Sequence, residues 1–193
     1  MIRTGIFGGS FNPIHNGHIA LGRAFLKEAQ LDELWFVVSP QNPLKAGDST
    51  LLEDTLRLEM TRIALASEKG MVASDVEFHL PKPSYMITTL NTISEQYPER
   101  QPILLIGGDN WEHFSRWYHY EEILEKYEIC IYPRDNDAQD EFKEEKVKVI
   151  HAPLLNISST MIREKIQKGE SIRNLVPKTV ADYIKRNHLY MHP

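Results

Sequence analysis

Short apolar runs, each closed by turn-forming residues, recur along this chain and leave few folds open to it. Ile2–Phe7 runs straight into Gly8-Gly9-Ser10, and runs of the same kind follow at Leu34–Val38, Ile103–Ile106, Tyr127–Tyr132 and Val147–Ile150. Each has the length and near-continuous hydrophobicity of a strand buried on both faces, as a parallel sheet requires. Between them, Gly17–Ala29 and Leu51–Ser67 carry apolar residues at a spacing near 3.6, and Tyr85–Gln96 does so more weakly. Strand and helix patterns that alternate in this way predict βαβ crossovers and an α/β fold with a doubly wound parallel sheet. The C-terminal stretch differs, because Ser158–Lys168 and Pro177–Asn187 read as two successive helices. Ser158 suits an N-cap and Pro177 a first helical turn. The expected organisation is one domain over residues 1–193, with 153–193 as a small helical C-terminal subregion.

A chain of 193 residues is long enough to bury a core without staples. With 41% hydrophobic and 25% charged residues it is ordinary globular material rather than a disordered chain. The single cysteine, Cys130, excludes an internal disulfide and reads as a small buried hydrophobe within Ile129–Ile131. No apolar stretch approaches the roughly 18 residues of a membrane span. With no secretory signal in view, a cytoplasmic location is expected. The net charge of −5 is accounted for by Asp135–Glu145, which holds six acids and one base. The remaining chain is balanced, so the acidic total does not argue against an anionic ligand. No Lys/Arg-rich block suggests nucleic acid, and a homo-oligomer is left open.

In an open α/β sheet the ligand sits beyond the carboxyl ends of the strands, so the segments after the apolar runs carry the chemistry. The first is Gly8-Gly9-Ser10-Phe11-Asn12-Pro13-Ile14-His15-Asn16-Gly17-His18. Adjacent glycines allow close backbone approach, and N–H groups ahead of a helix suit phosphate oxygens. The segment fits neither the dinucleotide-binding glycine fingerprint nor the P-loop. His15 and His18, three apart, share one helical face near the positive end of the helix dipole and could both reach one phosphate. A zinc pair or two surface histidines are the plainer alternatives, although no further ligand lies nearby in sequence.

That segment resembles the Gly-x-Phe-Asp-Pro-x-His-x-Gly-His signature of the HxGH nucleotidyltransferase superfamily, which implies a Rossmann-like fold. Asn12 stands where most members carry Asp, so no catalytic role falls to it. Ser39-Pro40-Gln41-Asn42-Pro43-Leu44-Lys45 is similar to the proline-bounded loop of nicotinate-nucleotide adenylyltransferases, with Leu44 replacing the usual His. Read alone, a lysine after a proline turn, as Lys45 is, is more often a solvated charge than a ligand contact. Ser84-Tyr85-Met86-Ile87-Thr88-Thr89-Leu90 resembles the same family's Ser-Tyr-Thr-x-x-Thr-Leu helix start.

Gly107-Gly108-Asp109-Asn110 is similar to the family's Gly-x-Asp turn; Asp109 either accepts hydrogen bonds from a ribose or caps the next helix. Aromatic runs such as Trp117-Tyr118-His119-Tyr120 usually fill cores, but the resemblance implies that Trp117 stacks on a pyridine ring. Ile157-Ser158-Ser159-Thr160-Met161-Ile162-Arg163 matches the superfamily's Ile-Ser-Ser-Thr-x-x-Arg motif without departure. Hydroxyls and N–H groups at a helix start, with an arginine one turn inside, suit phosphate; a plain capping run is the alternative.

The resemblance covers Ile2 to Tyr190 and implies transfer of the adenylyl group of ATP to nicotinate mononucleotide, releasing pyrophosphate. It implies catalytic roles for His15, His18, Lys45 and Arg163. ATP and its phosphates would be bound by Gly8, Gly9, Ser10, Phe11, Gly107, Asp109, Ile157, Ser158 and Ser159. The mononucleotide would meet Asn42, Lys45, Tyr85, Thr88, Thr89, Trp117, Tyr118 and Arg134. Mg²⁺ would enter on ATP, with no protein metal site. Adenylyl transfer to nicotinamide mononucleotide or phosphopantetheine, and a non-catalytic nucleotide sensor on the same fold, are the alternatives.

Overall fold

In the computed structural model, which describes residues 1–40, 50–133, 145–153 and 155–191, the apolar runs become strands. They are β1 (Ile2–Gly9), β2 (Glu33–Val38), β3 (Met71–Ser74), β4 (Arg100–Gly107), β5 (Glu128–Tyr132) and β6 (Val147–Val149). The helices are α1 (Asn16–Glu28), α2 (Asp54–Leu65), α3 (Met86–Gln96), α4 (Gly108–Glu112), α5 (Tyr120–Lys126), α6 (Ser159–Gln167) and α7 (Lys178–Arg186). Single 3₁₀ turns occupy Val76–His79 and Phe114–Arg116.

The strands form one parallel sheet in the order β3-β2-β1-β4-β5-β6. This is the Rossmann-like, doubly wound arrangement expected from the sequence. β1 lies at its centre, paired with β2 from Thr4–Glu33 to Gly9–Val38 and with β4 from Ile2–Arg100 to Phe7–Leu105. The direction of winding reverses between β1 and β4. A crevice therefore opens beyond their carboxyl ends, at Gly9 and Gly107.

Strand residues alternate between two cores, because successive side chains leave a strand on opposite faces. Phe7, Phe36, Val38 and Leu105 join Phe25 of α1, Ile162 of α6 and Ile184 of α7 on one face. Ile6, Trp35, Val37, Leu104 and Ile106 join Leu90 and Ile93 of α3 and Ile123 of α5 on the other. Burial of each such side chain contributes about 1.5–3 kcal/mol. Having apolar neighbours on both faces is why the runs read as unbroken rather than alternating.

Sequence and structure differ in several places. β3 was not expected: Met-Val-Ala-Ser is short, and Val72 on this edge strand is 49% exposed, so it lacks the continuous apolar signature. The stretch after β4, for which no element bounds were expected, folds as α4, a 3₁₀ turn and α5. Pro177 is the N-cap of α7 (φ −54°, ψ 145°) and lies outside the first turn expected for it. Cys130 is fully buried, as expected, and burial pushes its thiol up to about 12, which keeps it protonated and unreactive. Asn42, Lys45, Arg134 and most of the acidic segment lie outside the described residues.

Candidate active site

The segment after β1 is built around packing that the two glycines permit. A Cβ on Gly9 would lie 2.9 Å from the ring of Phe11, and one on Gly8 would meet the terminal methyl of Met86 at 2.8 Å. Phe11 sits in the left-handed region (φ 45°), a conformation that costs a non-glycine residue about 1–2 kcal/mol. Its ring offsets that strain by packing against Phe7, Phe36 and His18 at centroid distances of 5.1–5.6 Å. In the described arrangement, Gly8 and Gly9 make room for these side chains as well as for close backbone approach.

His15 is the N-cap of α1 rather than a residue of its first turn, and His18 occupies the third helical position. The His18 N–H donates to Nδ1 of His15 (3.3 Å), and the His15 N–H donates to Nδ1 of His18 (3.2 Å). The rings stack with centroids 3.6 Å apart. This is a capping box made of two imidazoles, where serine and glutamate are usual. An Nδ1 that accepts a hydrogen bond carries no proton while the ring is neutral, so the proton of each ring sits on Nε2. Burial pushes His15 down to about 4, so near neutral pH it is an N–H donor and not a cation. Among the described residues, no cluster of three or more His, Cys, Asp or Glu could hold a metal ion, so none completes a zinc site around the pair.

The N-terminus of α6 meets this segment from the far end of the chain. Ser158 caps α6 by accepting from the Met161 N–H (3.1 Å). Ser159 Oγ donates to the carbonyl of Pro13 (2.9 Å), and Arg163 donates to the carbonyl of Asn12 (2.8 Å) and to Thr160 Oγ1 (3.3 Å). The motifs that stood out in the sequence, some 145 residues apart, are thus bonded to each other. Asn12 itself is buried, and both ends of its side-chain amide are bonded. Its amide nitrogen donates to the Thr50 carbonyl (2.9 Å), while its Oδ1 accepts from the Leu52 N–H (3.3 Å) and the Tyr190 hydroxyl (2.8 Å).

The aromatic expectations separate. Tyr85 and Tyr118 are exposed and form a tilted pair with centroids 4.7 Å apart, joining the start of α3 to the segment before α5. Trp117 is half-buried against Phe114, and its Nε1–H is buried without a hydrogen-bond partner among the described residues. Thr88 is half-buried, but Thr89 is wholly enclosed. Its hydroxyl donates to Glu77 Oε1 (2.8 Å) and is also 3.3 Å from the Tyr85 carbonyl, so it is closed to a ligand in this arrangement. Burial raises the pKa of the Glu77 carboxyl against the opposing pull of the Thr89, Ser39 and Ser84 hydroxyls. Among the described residues only Thr89 is in bonding geometry with it, since Glu77 Oε2 and Ser84 Oγ lack partners there. Asp109 is exposed in the first turn of α4, and a Cβ on Gly107 would come within 2.6 Å of its Oδ1. Ile157 lies beside Gly17, at the junction of α1 and α6.

Sequence reasoning missed Arg57. It is fully buried on the inner face of α2, and its guanidinium donates to the carbonyls of Leu52 (2.8 Å), Ser10 (2.7 Å), Ser39 (2.8 Å) and Pro40 (3.4 Å). The available signal was a cation on an apolar helix face, in register with Thr61 and Ala64 at helical spacing.

The cytidylyltransferase-like family matches residues 6–165. A protein of Bacteroides thetaiotaomicron named probable nicotinate-nucleotide adenylyltransferase is 45% identical over 185 residues, 95% of this chain and 91% of that protein. One of the same name from Cytophaga hutchinsonii is 44% identical over 190 residues, 98% of each chain. Among solved structures, the Plasmodium falciparum nicotinic acid mononucleotide adenylyltransferase complexed with NaAD superposes with a TM-score of 0.82 at 23% identity. That alignment covers 98% of both chains and shows the shared fold. No helix among the described residues is long and apolar enough to cross a membrane.

Proposed function

The chain belongs to the cytidylyltransferase-like family, and we propose that it is a nicotinate-nucleotide adenylyltransferase, joining ATP to nicotinate mononucleotide and releasing pyrophosphate. Relatives of that name align with it over nearly their whole length, which supports reading residues 1–193 as one nucleotidyltransferase domain. The observation that carries the reading is the mutual cap of His15 and His18, with Ser159 and Arg163 bonded to the Pro13 and Asn12 carbonyls just ahead of it.

An oxygen of the mononucleotide phosphate attacks the α-phosphorus of ATP. The bond from that phosphorus to the bridging oxygen breaks, and its electron pair leaves with pyrophosphate. No protein nucleophile is needed, so the protein's work is orientation and stabilisation of charge on the transferring group. Two Nε2–H donors with fixed tautomers suit that work, because they need not reorganise as charge develops. Arg163 retains N–H groups beyond its bonds to Asn12 and Thr160, and with Lys45 serves the departing pyrophosphate. The Ser158 and Ser159 hydroxyls and the N–H groups of the first turn of α6 line the same end.

Asp109 faces solvent beyond β4, where a carboxylate can accept from a ribose. Tyr85, Trp117 and Tyr118 supply an aromatic wall for the pyridine ring, with Thr88, Asn42 and Arg134 as further mononucleotide contacts. These donors are suited to phosphate oxygens, and Mg²⁺ arrives as part of the MgATP substrate.

The test is pyrophosphate release and product mass with MgATP and a panel of acceptors: nicotinate mononucleotide, nicotinamide mononucleotide, phosphopantetheine and flavin mononucleotide. Highest kcat/KM with nicotinate mononucleotide is expected. A higher value with phosphopantetheine would move the protein elsewhere in the family. No release with any acceptor would leave a nucleotide-binding protein without transferase activity.

A further inference from the structure

Arg57 is the one fully buried cation whose hydrogen bonds, among the described residues, all go to main-chain carbonyls. Burying a guanidinium is costly, and carbonyls satisfy its N–H groups without cancelling its charge. Asp54 acts on it through space, yet that carboxylate is held by the Thr55 N–H (2.8 Å) and by Lys82 (3.7 Å). A neutral apolar side chain would fill the same place in α2 more cheaply, so a purely space-filling role does not account for the arginine.

The carbonyls it holds belong to separate pieces of the crevice. Ser10 directly follows β1, Ser39 and Pro40 directly follow β2, and Leu52 leads into α2. The Ser10–Phe11 peptide is trans, so a carbonyl drawn inward onto Arg57 turns the Phe11 N–H the opposite way. The next residue, Asn12, gives its own carbonyl to Arg163. The exit of β1 is thus held between two arginines, one from beneath and one from α6.

We propose that Arg57 is a positioning residue of the nucleotide site, whose guanidinium, bonded among the described residues to carbonyls alone, fixes the exits of β1 and β2 relative to each other and turns the Ser10–Phe11 peptide for phosphate binding. The proposal rests on the adenylyltransferase reading for what is bound. It differs from that reading in what it demands of the fork: charge alone at this place is insufficient, because one ammonium cannot reach carbonyls on three segments.

Arg57→Lys keeps the charge and loses the fork; Arg57→Met loses both. Both variants are expected to lose roughly 10- to 100-fold in kcat/KM, the range for small misplacements of binding groups, with KM for ATP and mononucleotide rising together. Millimolar methylguanidinium should restore activity to Arg57→Ala, and methylammonium should not. Pyrophosphate should raise the melting temperature of the wild type and not that of Arg57→Lys, a readout independent of catalysis. Arg57→Lys with kcat and both KM values within about twofold of wild type would overturn the proposal, even if Arg57→Met fails to fold. An inactive wild type that pyrophosphate still stabilises, with that stabilisation lost in Arg57→Lys, would sink the enzyme assignment and leave the positioning role standing. A wild type that pyrophosphate does not stabilise would overturn the positioning role itself.

Discussion

His15 and His18 hold each other's main chain: each ring's Nδ1 accepts the other residue's N–H, at 3.3 and 3.2 Å, across a ring stack of 3.6 Å. The same contacts that start α1 therefore set which ring nitrogen carries the proton. Helix capping and donor preorganisation are one arrangement here, and a change to either ring affects both.

The first consequence is a pH dependence of stability. His15 has its folded pKa lowered from 6.5 to about 4 by burial, so the unfolded chain binds more protons between those values. The stabilisation is fully present above pH 6.5 and is lost as pH falls toward 4, by about 2–4 kcal/mol in total. Urea unfolding from pH 7 to pH 4.5 should show this slope, and His15→Asn, which keeps a capping side chain, should flatten it. An unchanged slope in the variant would place the titrating group elsewhere.

A second concerns the departure at Asn12. Its amide donates to the Thr50 carbonyl at 2.9 Å, and a carboxylate at that place would set two acceptors against each other. Asn12→Asp should destabilise by about 1–3 kcal/mol at pH 7, and less at pH 4 where the carboxyl can be protonated. Tyr190→Phe removes one of the bonds to Oδ1 and should cost about 0.5–1.5 kcal/mol. Thermal or urea melts of the two variants decide it. An Asn12→Asp protein as stable as wild type would show that the segment re-forms around the acid.

Trp117 gives a third. Half-buried on Phe114, it has one ring face committed to the core, which leaves stacking on a pyridine to its remaining surface. Trp117→Ala should raise the mononucleotide KM and leave the ATP KM nearly unchanged, with kcat/KM falling about 5- to 150-fold, the equivalent of 1–3 kcal/mol of stacking. Steady-state kinetics with each substrate varied in turn reads this. A large fall in melting temperature with both KM values intact would make Trp117 a core residue only.

What the sequence disclosed and what it withheld follow from range. The Gly-Gly-Ser to His-x-Gly-His segment and the Ser-Ser-Thr helix start are local patterns, and both occupy the ends of helices as their residues suggest. β3 was hidden because four residues on an exposed edge carry too little hydrophobic signal. Thr88 and Thr89 look alike in sequence, yet adjacent helical positions differ by about 100° in direction, and only Thr89 turns into the core onto Glu77. Arg57 was hidden because what it holds, the carbonyls of Ser10, Ser39 and Pro40, comes together only when β1 and β2 lie side by side.

The central claim is that the paired imidazoles act on charge that grows during adenylyl transfer, and kcat of His18→Ala tests it most directly. Removal of one preorganised donor predicts a fall of about 10²–10³ in kcat, with the ATP KM changing much less. The lost cap and ring contacts should lower stability by only about 0.5–2 kcal/mol, leaving the variant folded at assay temperature. His18→Asn, whose amide restores a donor, should recover part of the rate. A kcat near wild type with a large rise in ATP KM would contradict the account, since it would make His18 a group that binds ground state and transition state alike.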